Sequence, residues 1–325
     1  MATPKLVFFN GKIVRYEDAK IGVLTHALNY GTAVFGGIRA HWNDDEKQLF
    51  VFRPDDHYKR FLDSMKLMRM KSAYTKEFLT QSTLELLRQQ EFKEDCYIRP
   101  LAFYSDETIG VRLHNLTPAL SIAAFPFGKY VHNEEEAHVT ISSWTRVDDN
   151  IIPARGKIAG AYVNSALAKS DAQLAGFDEA IVLDRSGHVS EGSAENIYML
   201  RNGVFVTPAI TDNILEGITR RTFMKFIQDD LGMKVEERSI DRTELFLADE
   251  VFFVGTGVQL SAIVKIDNRI IGEGVMGPLT TKLRKLFFDT VRGKVPKYRH
   301  WCMPVYQKQE VTEASLKLDH VHQHS

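Results

Sequence analysis

The chain has 325 residues, more than one hydrophobic core usually holds, so two domains are expected. Hydrophobic residues make up 44% and charged residues 26%, and the formal net charge of -1 leaves no basic footprint for nucleic acid or an anionic membrane. Cys96 and Cys302 are too few for a disulfide framework and lack metal-site spacing. No apolar run nears membrane-spanning length and the start has no secretory core, so a cytoplasmic protein is expected.

The first predicted element is a hairpin. Leu6-Val7-Phe8-Phe9 and Lys12-Ile13-Val14 flank Asn10-Gly11, a pair that tolerates the positive φ angles of a type I′ turn. His57 to Met70 carries Tyr58, Phe61, Leu62, Met65 and Met68 at helical spacing, and Lys76 to Gln90 repeats the pattern with Phe78, Leu79, Leu84 and Leu87. Strands are predicted at Cys96 to Tyr104 and Ala119 to Phe125. Around Phe125-Pro126-Phe127-Gly128 and the acidic run Glu134-Glu135-Glu136 the pattern loosens. That divides the chain into a small N-terminal domain (1–128), an interdomain loop (129–136), a larger domain (137–308) and a polar tail (309–325) with a histidine cluster. The larger domain reads as strand-rich, with runs at Glu179 to Asp184, Asn196 to Leu200, Val204 to Val206, Glu250 to Gly255 and Ala262 to Ile266. Helices are predicted at Tyr162 to Ala175 and Gly217 to Leu231.

The stretch Gly156-Lys157-Ile158-Ala159-Gly160-Ala161-Tyr162 sets one lysine among small, uncharged neighbours. A lone lysine is ordinarily a solvated surface charge, but these surroundings suit an amine that must lose water and its proton. Ser190-Glu191-Gly192-Ser193-Ala194-Glu195-Asn196 then offers two carboxylates, Glu191 and Glu195, at the end of a hairpin. A dehydrated lysine and a carboxylate against a pyridine nitrogen are what a pyridoxal 5′-phosphate (PLP) site needs. The lysine meets the aldehyde, and the carboxylate keeps the ring an electron sink. A phosphate needs backbone N–H donors, and two loops offer them: Gly217-Ile218-Thr219-Arg220 at a helix start, and Gly255-Thr256-Gly257 after an apolar strand. The histidines lack ligand spacing, so no metal is expected.

These segments stand in order with Tyr30-Gly31-Thr32-Ala33-Val34-Phe35-Gly36-Gly37-Ile38-Arg39, Tyr97-Ile98-Arg99-Pro100 and Ala248-Asp249-Glu250-Val251-Phe252. Together they resemble the fold-type IV PLP enzymes and, within them, the branched-chain amino acid aminotransferases, from about Phe8 to Tyr306. The resemblance implies an α+β fold, D-amino acid aminotransferase-like, with a smaller α/β domain before a larger strand-rich pseudo-barrel. It implies Lys157 as the Schiff-base lysine that moves a proton between substrate Cα and cofactor C4′. Glu191, ahead of Glu195, would face the pyridine nitrogen and Tyr162 the phenolic oxygen. Arg60, Gly217, Ile218, Thr219, Gly255 and Thr256 would surround the phosphate.

For the substrate, the resemblance assigns Tyr97 and the loop Thr256-Gly257-Val258 to the α-carboxylate. Arg99, helped by Tyr130 and Tyr30, would take the distal carboxylate of glutamate. Phe35, Gly37, Val111 and Phe127 would wall an apolar pocket. Tyr30 and Val111 would reach across from a second subunit, so a homodimer is expected. The implied reaction passes the amino group of L-leucine, L-isoleucine or L-valine to 2-oxoglutarate, with D-amino acid or (R)-amine transamination as the sister activities. Two positions depart from the family pattern: Gly36 stands where a glutamate is usual, and Gly257-Val258 where Ala-Ala is more common. Both border the substrate side.

Overall fold

In a computed structural model, which describes residues 3–128 and 134–306, two large sheets with helices against them form an α+β architecture. The first hairpin pairs Leu6–Phe9 with Lys12–Arg15, and Asn10 (φ 46°) and Gly11 (φ 93°) both take the positive φ that its turn requires. Asn10 Oδ1 accepts the Leu120 N–H at 2.9 Å, which ties the turn to the next strand.

The first sheet has eight strands. Its spatial order is Cys302–Pro304, Gln48–Phe52, Ile38–Asn43, Cys96–Tyr104, Pro118–Pro126, Leu6–Phe9 and Lys12–Arg15, with Ala33–Phe35 also on Cys96–Tyr104. Cys302–Pro304 pairs with Gln48–Phe52, so the end of the 137–308 segment belongs to this sheet. The helix Pro54–Leu67 starts three residues before its apolar spacing does, because Arg53 turns into the left-handed region (φ 50°) and Pro54 presets the first helical turn. Thr75 caps the helix Lys76–Gln90 by accepting the Phe78 N–H at 3.2 Å. Phe8, Tyr58, Phe61, Leu84, Leu87, Ile98 and Ile122 form the core of this half.

The second sheet has nine strands, in the order Val189–Gly192, Glu179–Leu183, Ala137–Thr145, Gln259–Ile266, Glu250–Gly255, Asn196–Arg201, Val204–Thr207 and Val235–Glu237, with Arg269–Ile270 beside Gln259–Ile266. Side chains alternate between its faces. Ile197, Met199, Val251 and Phe253 join one core, while Tyr198, Leu200, Phe252 and Val254 join another with the helices Ile218–Asp229 and Pro278–Val291. Phe50 and Phe52 of the first sheet enter that second, aromatic core and bind the two halves together. Truncating one such phenylalanine to alanine costs about 3–5 kcal/mol. Sequence reading leaves Ile38–Asn43, Gln48–Phe52 and Pro278–Val291 unassigned. No helix among the described residues is long and apolar enough to cross a membrane.

Ala137–Thr145 runs parallel to both of its neighbours, Glu179–Leu183 and Gln259–Ile266. That register sets Arg146, just past its end, beside Leu183, whose carbonyl accepts the Arg146 N–H at 2.8 Å. On the far side of Glu179–Leu183, Glu191 lies opposite Val182. Two residues 45 positions apart are thereby brought to one place.

Candidate active site

A cavity of about 510 Å³ is lined by residues of both sheets, including Phe35, Tyr97, Arg99, Lys157, Glu191 and Thr256. Lys157 lies just ahead of the 3-10 turn Ala159–Ala161 that leads into the helix Tyr162–Leu174. Its backbone is fixed at both ends: its N–H donates to Ser64 Oγ at 3.1 Å, and its carbonyl accepts the Phe35 N–H at 3.0 Å. The amine donates to Tyr162 Oη at 2.5 Å and sits 5.0 Å from the ring centroids of Phe35 and Tyr162. Burial, and then the charge of Arg60, lower its pKa to about 7 against the opposing pull of Glu191. A large fraction of this amine is therefore neutral and nucleophilic near neutral pH.

Glu191 is buried, and both its oxygens are engaged. Arg146 Nη2 meets Oε1 at 2.7 Å, while Oε2 accepts the Asn196 side-chain amide at 3.0 Å and the Leu215 N–H at 3.1 Å. Burial pushes its pKa up, and Arg146 opposes that most strongly. Asn196 Nδ2 also donates to the Leu215 carbonyl at 3.0 Å, and Gly217 leaves room for the side chain, since a Cβ there would lie 2.0 Å from Asn196 Oδ1.

Gly217 begins the helix Ile218–Asp229, whose first turn carries no acidic residue and whose N-cap makes no side-chain bond. The amides of Ile218 and Thr219 therefore remain available at the positive end of the helix dipole. Arg60 lines the same region, and its Nη1 donates to the Glu216 carbonyl at 3.3 Å. Burial lowers the Arg60 pKa to about 10, still far above neutrality, so it stays a cation. Gly255 and Thr256 complete this wall. A dianion fits such a donor set.

On the opposite side, Arg99 lies 4.6 Å from the Phe35 ring centroid and donates through Nη2 to Tyr97 Oη at 3.3 Å. Its Nε is buried without a partner. Gly37 is required here, since a Cβ would meet Tyr97 Oη at 2.1 Å. At the departure Gly36 a Cβ would come within 2.6 Å of Pro100 Cγ. The loop Thr256-Gly257-Val258 is tied down by Arg39, whose Nη2 donates to the carbonyls of Gly257 and Gly128, both at 2.9 Å. The Arg39 guanidinium also lies over Phe127, 4.8 Å from the ring centroid.

The cavity thus gathers Phe35, Gly37, Arg60, Tyr97, Arg99, Phe127, Lys157, Tyr162, Glu191, Gly217, Ile218, Thr219, Gly255, Thr256, Gly257 and Val258. Tyr30 and Val111 are not among its lining residues. They sit together elsewhere, Tyr30 Oη accepting the Gly110 N–H at 3.2 Å, and Val111 is 90% exposed. Tyr130 and the histidine cluster of the tail lie outside the described residues. Sequence reading missed Arg146, which looks like the polar end of a strand, and gave no role to Arg39. Only the parallel pairing and the cross-sheet contact reveal them.

The arrangement defines a class of protein. A model of the amino-transferase class IV family matches residues 33–266, and the chain belongs to that family. A probable branched-chain-amino-acid aminotransferase of Aquifex aeolicus is 46% identical over 301 residues, covering 93% of this chain and 97% of its own. The branched-chain aminotransferase of the archaeon Thermoproteus uzoniensis, solved with norvaline, superimposes with a TM-score of 0.89 at 43% identity, covering 94% of this chain and all of its own (100%). That of Thermobaculum terrenum, solved in its PLP form, reaches a TM-score of 0.90 at 36% identity, over 94% of this chain and 99% of its own.

Proposed function

We propose that this chain passes the amino group of L-leucine, L-isoleucine or L-valine to 2-oxoglutarate, using PLP. The carrying observation is one cavity that holds a lysine amine of pKa about 7, an Arg146-paired Glu191 and a helix N-terminus beside Arg60. The relatives solved with norvaline and in PLP form support it. When bound, PLP supplies an aldehyde for amines and a ring that withdraws electrons from the bond being broken.

The residues present fit that group. Arg60, the amides of Ile218 and Thr219, Gly217, Gly255 and Thr256 would hold the phosphate. Glu191, paired with Arg146, would face the ring nitrogen through a charge-assisted hydrogen bond. Tyr162 would face the phenolic oxygen. Lys157 Nζ would anchor the cofactor and move the proton between the substrate Cα and cofactor C4′, a role open to an amine whose pKa is near neutrality.

Tyr97 and the loop Thr256-Gly257-Val258 take the α-carboxylate, which orients the Cα–H bond. Phe35, Gly37, Phe127 and Val258 wall the space for an aliphatic side chain, and Arg99 at its rim receives the second carboxylate of glutamate. The same reading includes a homodimer in which Tyr30 and Val111 of a second copy complete the pocket, and a cytoplasmic location. The exposed apolar side chains Val23, Leu28, Ile109 and Val111 support such a contact.

An absorption spectrum of the purified protein tests the reading. A visible cofactor band that L-leucine converts and 2-oxoglutarate restores is the expected result. A band answering only to D-alanine would move the activity to D-amino acids, and no band after adding PLP would sink the proposal.

A further inference from the structure

Three buried carboxylates, two of them lining the cavity, gather where the helix Tyr162–Leu174 meets the strands Glu179–Leu183 and Val189–Gly192. They are Glu179, Glu191 and Glu195, exposed by 1%, 4% and 3%. Two of them have a cation. Arg146 meets Glu191 at 2.7 Å, and Lys169 meets Glu179 at 2.6 Å, where Glu179 Oε1 also accepts the Ala180 N–H at 2.9 Å.

Glu195 has no such partner. Its Oε2 accepts the Ala194 N–H at 3.0 Å, its Oε1 is buried without any hydrogen bond, and no ion pair among the described residues includes it. It lines the cavity together with Ser165, Lys169 and Ser193. A buried ionised carboxylate is tolerated when paired and saturated with donors, and one N–H does not meet that need. The charged groups facing it make ionisation harder still. Glu179 from its strand and Glu191 from the next both repel a third anion, and together they outweigh Lys169 from the helix, which favours the ionised form but is held by Glu179.

We infer that Glu195 stands in the folded protein as a neutral carboxylic acid, with its proton on Oε1. Burial first, and Glu179 next, move its pKa up, in the same direction. The consequence falls on Glu191. A second anion beside it would drive its own pKa further up, whereas a neutral neighbour leaves it ionised by Arg146. Only Glu191 can then hold a cationic ring nitrogen, which resolves the choice between two carboxylates that spacing alone leaves open. The protonation state of Glu195 does not depend on which cofactor fills the cavity.

Infrared difference spectroscopy on the protein as isolated, at neutral pH, reads this directly. Wild type minus Glu195→Gln is expected to leave one carbonyl stretch of a protonated carboxyl, shifting in D₂O. Glu179→Gln removes the repelling carboxylate and releases Lys169, so it is expected to weaken that band. Lys169→Met is expected to add a second, because Glu179 then loses its cation. Absence of the first band overturns the inference. A Lys169→Met protein that gains no band refutes the charge balance on which it rests, and that variant carries the test even if Glu195→Gln does not fold.

Discussion

Arg146 Nη2 and Glu191 Oε1 lie 2.7 Å apart beneath the cavity, in a pair that exists because a strand parallel to both of its neighbours ends beside the Glu191 hairpin. The pair sets a protonation state. Burial favours the neutral acid at Glu191, and Arg146 opposes it.

Removing that cation has a definite outcome. Arg146→Met leaves a buried carboxylate unpaired, a change that costs about 3–5 kcal/mol, or lets it take up a proton. We expect weaker PLP binding and a cofactor band whose pH titration is displaced, with Arg146→Lys restoring much of both. An unchanged titration in the methionine variant would show that the pair is only structural.

Lys157 gives a pH dependence whose sign is fixed. Its folded-state pKa of about 7 lies below the 10.5 of the unfolded chain, so between those values the unfolded state binds more protons. Stability of the cofactor-free protein should therefore rise with pH across that window, and this component should vanish in Lys157→Met. PLP capture by the neutral amine should accelerate through pH about 7. Turnover in the methionine variant should fall by about 10⁴-fold or more. Urea unfolding at several pH values and stopped-flow absorbance measure the two effects.

Gly217→Ala places a methyl 2.0 Å from Asn196 Oδ1. The backbone there (φ -67°) accepts alanine, so the cost is steric, about 1–3 kcal/mol. Displacing Asn196 removes one donor from Glu191, and a several-fold loss of PLP affinity should accompany the lower stability. A wild-type affinity in a destabilised protein would uncouple the two.

Arg99→Ala should raise the KM for 2-oxoglutarate by about 10- to 100-fold, the equivalent of one hydrogen bond to a charged group. The apolar 2-oxo acid derived from leucine has no second carboxylate, so its KM should change only a few-fold. Equal effects on both would remove Arg99 from the specificity assignment.

Arg39→Met should release the loop Thr256-Gly257-Val258 from Gly128 and Phe127. Because that loop is assigned to the α-carboxylate, KM should rise for every substrate alike, by about tenfold, with a smaller change in kcat. Steady-state kinetics with glutamate and leucine distinguish this uniform loss from the selective one at Arg99.

Local signals carried far in this chain. Asn10-Gly11 demands its turn, the apolar spacing of Lys76–Gln90 is a helix wherever it is placed, and the apolar run of Asn196–Arg201 ahead of Asn202-Gly203 is a strand ending in a turn. Lys157, Tyr162, Glu191, Gly217 and Thr219 stood out as a set, each weak alone, and the family resemblance assigned Glu191 its place ahead of Glu195. Gln48–Phe52 is buried along its whole length and shows no alternation by which to be read, whereas Ile38–Asn43 alternates apolar with polar in sequence yet buries both faces, so its Arg39 and His41 are polar groups that only the fold accounts for.

What the sequence determined by itself is thus the kind of chemistry and its main parts, since amine, carboxylate and anion-binding loop are properties of residue types at short spacing. Tertiary structure alone decided which charges face one another. Arg146 reaches Glu191 and Arg39 reaches Gly257 through strand order and sheet contact, across 45 and 218 positions that no local pattern connects. Ionisation in a buried wall depends on those distances and on how much water is excluded. The difference between a charged Glu191 and a neutral Glu195, four residues on, therefore exists only in the folded chain.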